Sequence, residues 1–149
     1  EFILAGDIDI FNPSSISITE LKEWENQKLI SYSGYIKDLS SLFKKINIFV
    51  MPSYREGFSK VLLEAAAAGK AIVTTNAPGC RDIITDNQNG ILVDPKNSLQ
   101  LSNALELLIN KQELRIKFGK NASDHVNKNF NLDTILKEHK NLYLDLLNE

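Results

Sequence analysis

The residues best equipped for chemistry lie in one stretch, Glu56-Gly57-Phe58-Ser59-Lys60-Val61-Leu62-Leu63-Glu64-Ala65-Ala66-Ala67-Ala68-Gly69. Ser59 is a good N-cap, Val61 to Ala68 is a strong helix-forming run, and Gly69 supplies the left-handed residue that ends it. A glycine-bearing loop that turns into a helix presents unpaired backbone N–H groups, which suit a phosphate. Glu64 stands about one and a half turns into that helix, ~7 Å along its axis. A carboxylate at that depth can accept hydrogen bonds from a sugar diol while the helix start holds phosphate. Alternatively, Glu64 pairs with Lys60 one turn earlier, in the weaker orientation, worth only ~0.3 kcal/mol. Its apolar neighbours predict a largely buried helix, where an unpaired charge costs several kcal/mol. The local sequence leaves both readings open. Taken alone, Glu56 and Gly57 are ordinary turn residues, although a missing Cβ also permits close ligand approach.

The elements that must position this stretch alternate along the chain. Ile46 to Met51 reads as a buried strand closed by Pro52, immediately before the loop. Upstream, Phe2 to Ala5 reads as a first strand and 9–17 as a polar loop containing Asn12-Pro13-Ser14-Ser15. Thr19 is the expected cap of a helix over Glu20 to Asn26, with Leu21 and Trp24 on its apolar side. Leu29 to Ser33 is a second strand closed by Gly34, and Asp38 caps a helix carrying Leu39, Leu42 and Phe43. Downstream, Ala71 to Thr75 is a fourth strand, Asn76 to Gly79 a loop, and Cys80 to Ile84 a turn or short helix. Asn89-Gly90 signals a turn before a fifth strand, Ile91 to Val93.

Three helices follow, one capped by Asn97 or Ser98, one from Gln112 to about Asn127, and one from Leu132 to Leu147. The alternation predicts a single α/β domain over 1–149, Rossmann-like and three-layered, with a parallel sheet of about five to six strands. Ligands of such sheets bind beyond the C-terminal strand ends, where the loops after Ala5, Ser33, Met51 and Thr75 lie. The last segment, 131–149, carries Leu132, Ile135, Leu136, Tyr143, Leu146 and Leu147 at helical spacing. Packing on the domain's own sheet layer is the favoured expectation for this stripe. Covering a neighbouring domain is the alternative.

Composition narrows the partners. Lys plus Arg is 17 and Asp plus Glu 19, for a net charge of −2, with no basic run, which argues against nucleic acid. The most basic stretch, Lys111 to Lys128, is diluted by Glu113 and Asp124 and reads as a solvated helix face rather than a membrane-attracting one. Cys80 is the single cysteine, which fits a reducing compartment. His125 and His139 are too far apart in sequence to suggest a metal site. No apolar run approaches the ~20 residues of a membrane span.

The string Pro52-Ser53-Tyr54-Arg55-Glu56-Gly57-Phe58-Ser59-Lys60-Val61-Leu62-Leu63-Glu64-Ala65-Ala66-Ala67 resembles the E-x7-E segment of retaining, GT-B-type glycosyltransferases of family 4. Gly69 to Thr75, Pro78-Gly79-Cys80-Arg81-Asp82, Asn89 to Val93 and Gly34-Tyr35-Ile36 extend the resemblance over essentially the whole chain. It implies the C-terminal, nucleotide-sugar-binding half of a GT-B fold. By resemblance, Glu64 binds the ribose hydroxyls and Glu56 contacts the donor sugar near the reacting carbon. Backbone N–H groups of Gly57, Phe58, Ser59, Lys60, Val61 and Leu62 hold the sugar and pyrophosphate, and Tyr35 and Ile36 contact the base. No metal or other cofactor is implied beyond the nucleotide sugar, and Asp7-Ile8-Asp9 is read as a turn rather than an acidic metal motif. The surroundings of Asp7-Ile8-Asp9, Asn12-Pro13 and Ser53-Tyr54-Arg55 are most similar to transferases that build bacterial surface polysaccharides from UDP-activated hexoses. A cytoplasmic setting at the inner membrane face follows from that likeness.

Ser59 stands where the family commonly has proline, and caps the helix equally well. The family's basic pair for the donor diphosphate and its N-terminal acceptor-binding domain are expected outside this chain. An isolated fragment without transfer activity is therefore expected. Two other readings stand beside this one. A nicotinamide dehydrogenase is disfavoured because no G-x-G-x-x-G follows the first strand. A non-catalytic association module would use the apolar last helix.

Overall fold

In the computed structural model, which describes residues 1–12 and 15–147, the chain divides into two units, residues 1–41 and 42–149. The Pro13-Ser14 part of the expected polar loop lies outside the described residues, as do Asn148 and Glu149. In the first unit, β1 (Ile3–Leu4) and β2 (Ser31–Tyr32) pair in parallel, with Ile3 opposite Ser31, and α1 (Ile18–Asn26) connects them. Both strands are shorter than expected: Gly6 and Gly34, at φ 136° and 60°, turn the chain just after them, and Lys28, at φ 56°, turns it before β2. Leu21 is the buried residue of α1.

The start of α1 corrects the expected cap. Ser17, not Thr19, caps the helix. Its hydroxyl accepts from the Glu20 N–H at 3.2 Å, and the Glu20 carboxylate accepts from the Ser17 N–H at 3.0 Å. Only a helix begun at Ile18 places Glu20 at the third position, where this reciprocal capping box closes. The backbone N–H of Ser17, followed by its hydroxyl, holds the Glu20 carboxyl below the ordinary glutamate range.

The division falls within the short helix α2 (Ser40–Phe43), and the second unit takes up the chain from Leu42. It contains β3 (Ile48–Met51), α3 (Lys60–Ala67), β4 (Ala71–Thr75), β5 (Ile91–Val93), α4 (Ser98–Asn110), α5 (Gln112–Asn129) and α6 (Leu132–Leu147). The sheet order is β3-β4-β5, all parallel, with Met51 opposite Thr74 and Thr75 opposite Val93. β4 is central and buried along its whole length, as a continuous Ala-Ile-Val-Thr-Thr run requires. β3 lies at the edge of this sheet and is half-buried, less enclosed than its apolar sequence predicts. In place of the single expected sheet, the described residues hold five strands in two parallel sheets, one of two strands and one of three.

Ala71, Val73, Ile91, Val93, Ala104, Leu108 and Phe118 form a core cluster on this sheet. Helix α5 comes so close to the end of α3 that a Cβ at Gly119 would stand 2.1 Å from the Gly69 carbonyl oxygen. Helix α6 departs from the favoured expectation. None of its described residues is buried, and Leu132, Leu136, Tyr143, Leu146 and Leu147 are exposed. The core cluster is filled from α4 and α5, by Ala104, Leu108 and Phe118, and no α6 side chain joins it.

Candidate functional site

The loop between β3 and α3 carries the residues singled out by their chemistry. Ser59 caps α3 as expected: its hydroxyl accepts from the Leu62 N–H at 3.4 Å, and its carbonyl accepts the Leu63 N–H at 3.1 Å. Among the described residues, the N–H groups of Gly57, Phe58, Lys60 and Val61 have no protein hydrogen-bond partner. These donors stand at the positive end of a helix, where negative charge is favoured. At the other end of α3, Gly69 takes φ 67° and stops the helix.

Glu64 is less enclosed than its neighbours suggest. Leu62, Ala65 and Ala66 are buried, but Ala67 and Ala68 are exposed, and the Glu64 side chain is 42% exposed. Its Oε1 lies 3.6 Å from Lys60 Nζ, so the ion pair is formed, with the lysine 90% exposed. Glu56 is half-buried, and its backbone N–H donates to the Pro78 carbonyl at 3.3 Å.

Several residues that fasten this loop were not singled out by sequence. The Thr74 hydroxyl donates to the Met51 carbonyl at 2.8 Å, and the Thr75 hydroxyl donates to the Ser53 carbonyl. Both threonines are buried, so these bonds tie the exit of β3 to β4. Ala77-Pro78-Gly79-Cys80 closes with Cys80 N–H on the Ala77 carbonyl at 3.1 Å, and Gly79 has φ 80°. Proline then glycine at the two middle positions is the signature of a type II turn. This turn presses on the loop: a Cβ at Gly79 would stand 2.0 Å from the Gly57 carbonyl oxygen and 2.8 Å from Glu56 Cβ. Asp82 holds the turn, its Oδ2 accepting from the Gly79 N–H at 2.9 Å. The Pro-Gly pair was the available signal for this contact. The threonine bonds left none beyond β-branched hydroxyls at a strand end.

Behind the next loop, Lys96 takes φ 63° and sets its Nζ 5.5 Å from the centre of the Tyr54 ring. Tyr35 and Ile36 lie in the first unit, after β2, with Tyr35 exposed and Ile36 half-buried. Among the described residues no group of three or more His, Cys, Asp and Glu converges to hold a metal ion, and no helix is long and apolar enough to cross a membrane.

Parallel strands joined by helices, with a capped helix after β3, define an α/β domain whose loops gather beyond the strand ends. The chain belongs to the family described as glycosyl transferases group 1, whose model matches residues 1–125. Among its relatives is the N,N'-diacetylbacillosaminyl-diphospho-undecaprenol alpha-1,3-N-acetylgalactosaminyltransferase of Campylobacter jejuni, 38% identical over 122 residues. That match covers 82% of this chain and 31% of the relative. The capsular polysaccharide biosynthesis glycosyltransferase CapM of Staphylococcus aureus is 31% identical, over 77% of this chain and 30% of its own length. The chain therefore spans less than a third of either relative. In fold it matches the Anabaena protein HepE, solved in complex with UDP, with a TM-score of 0.86 at 22% identity over 96% of this chain and 40% of that one. The expected α/β architecture of GT-B-type glycosyltransferases is the one present.

Proposed function

We propose that this chain is the donor-binding, C-terminal half of a retaining glycosyltransferase of family 4, taking a UDP-linked hexose for bacterial surface polysaccharide or glycoconjugate synthesis. The observation that carries the reading is the loop from Glu56 to Ser59, which is fastened on its far side and offers the N–H groups of Gly57, Phe58, Lys60 and Val61 without protein partners. A donor diphosphate supplies the anion such a helix start favours. In this reading Glu64, half-exposed on α3, accepts hydrogen bonds from the ribose diol. Glu56 contacts hydroxyls of the donor sugar near the reacting carbon, and Ser59 and Leu62 keep the helix start in register. The roles of Tyr35 and Ile36 toward the base, and operation without a metal, rest on the family resemblance. The group 1 family membership and the capsular-polysaccharide relative support the substrate class.

The test is a thermal-shift and titration panel of UDP, GDP, ADP and NAD on the intact protein carrying this chain, repeated on Glu64→Ala. A ligand at ~100 times its Kd stabilises by about 2.7 kcal/mol. UDP is expected to give the largest shift, and Glu64→Ala to weaken it by about tenfold, the factor that removing a charge-assisted hydrogen bond worth ~1.4 kcal/mol produces. An intact protein that binds UDP equally well with and without Glu64 refutes the ribose assignment.

A further inference from the structure

The candidate loop is held by hydrogen bonds at Ser53, through the Thr75 hydroxyl, at Glu56, through its N–H to Pro78, and at Ser59, through the helix cap. Phe58, between the last two, has no hydrogen-bond partner for its N–H among the described residues. The residue is 53% exposed, yet its ring lies against another: the centroids of Phe58 and Phe130 are 5.2 Å apart at an interplanar angle of 59°. Phe130 is fixed independently. Its N–H caps α5 on the Val126 carbonyl at 2.9 Å, and the His125 ring meets it edge-on at 5.7 Å. His125 is in turn braced by Asn129, whose Nδ2 lies 3.1 Å from His125 Nδ1 and donates to the His125 carbonyl at 3.0 Å.

We propose that Phe130 is a positioning residue for the donor loop, holding Phe58 so that the Gly57, Phe58 and Lys60 N–H groups keep one orientation toward the donor. The inference rests on the donor-binding reading above. A residue far along the chain, at the junction of α5 and α6, thereby governs how well the loop is preorganised. Ring pairs of this geometry favour one arrangement of both partners beyond simple area burial.

The experiment uses the intact protein carrying this chain, with backbone order parameters from NMR relaxation and UDP affinity by titration. Phe130→Ala is expected to lower the order parameters of Gly57, Phe58 and Lys60 from the rigid toward the flexible range while β4 stays rigid, and to raise the UDP Kd by about fivefold, which is what ~1 kcal/mol of ring contact converts to. Phe130→Tyr, which keeps the ring, is expected to restore both. Order parameters that fall equally in the loop and in Ala71–Thr75 mark a merely structural role and overturn the proposal. So does a loosened loop with an unchanged UDP Kd. Failure of the parent protein to bind UDP defeats the donor reading itself, and is distinguished by occurring before any substitution is made.

Discussion

Gly79→Ala tests the clamp on the loop most directly, because the structure separates its two costs. At φ 80° an alanine sits in a region that disfavours L side chains, a penalty of about 1–2 kcal/mol. Its Cβ would also stand 2.0 Å from the Gly57 carbonyl oxygen and 2.7 Å from that of Glu56, where ordinary contacts begin near 3.4 Å. The Glu56–Gly57 backbone must therefore withdraw by more than an ångström, and overpacking of this kind costs about 1–3 kcal/mol. Together the substitution is expected to destabilise by about 2–5 kcal/mol. Any protein that remains folded carries its loop in a displaced position.

Gly57→Ala is the matched control. Position 57 has no positive φ and nothing within 4 Å of an added Cβ, so its stability is expected to stay within about 0.5 kcal/mol of the parent. In the donor-binding reading a methyl group there still crowds the ligand's approach. Urea unfolding gives the stabilities and UDP titration the affinities. The reasoning fails if Gly79→Ala unfolds within about 0.5 kcal/mol of the parent while binding UDP normally.

Two further outcomes follow from particular bonds. Ser59→Ala removes the cap of α3 at a buried position and is expected to cost about 1 kcal/mol in chemical denaturation, whereas a change below about 0.3 kcal/mol would show that the 3.4 Å bond is not formed in solution. For Glu20, the folded carboxyl titrates below the ordinary 4.5, so its stabilising contribution is present above the unfolded value and is lost as pH falls through the folded one. An NMR titration of the Glu20 side chain should place its midpoint below 4.5, and Ser17→Ala should return it upward. A midpoint at or above 4.5 contradicts the capping box.

How much of this was legible depended on whether the determinant was local. Helix α3, its Ser59 cap and its Gly69 stop were readable because each is a short-range property of consecutive residues. β4 was readable because five consecutive apolar or β-branched residues ask to be buried on both faces. The cap of α1 was missed by two residues because Ser17 and Thr19 are both good caps, and only the glutamate three positions after Ser17 decides between them. Pro78-Gly79 marked a turn, but what the clamps touch was not legible. Thr75 meets the Ser53 carbonyl, Gly79 the Glu56–Gly57 peptide and Phe130 the Phe58 ring, all through chain crossings that no local pattern encodes. The exposed stripe of α6 shows the opposite failure: helical periodicity revealed an apolar face correctly but not whether this unit covers it.

The ion pair at Glu64 bears on the donor reading in a way the sequence left undecided. An exposed pair of this spacing is worth about 0.3–0.5 kcal/mol, and with Lys60 at 90% exposure salt screens it further. Hydrogen bonds to a charged acceptor contribute about 1.5–3 kcal/mol. In the donor-binding reading a diol presented to Glu64 therefore competes with a weak pair, and the main cost is the water that the 42% exposed carboxylate gives up to accept it. In that reading the pair and the ribose contact are successive states of one side chain, and the exchange is favourable only as far as the diol's hydrogen bonds exceed the weak pair plus the displaced water.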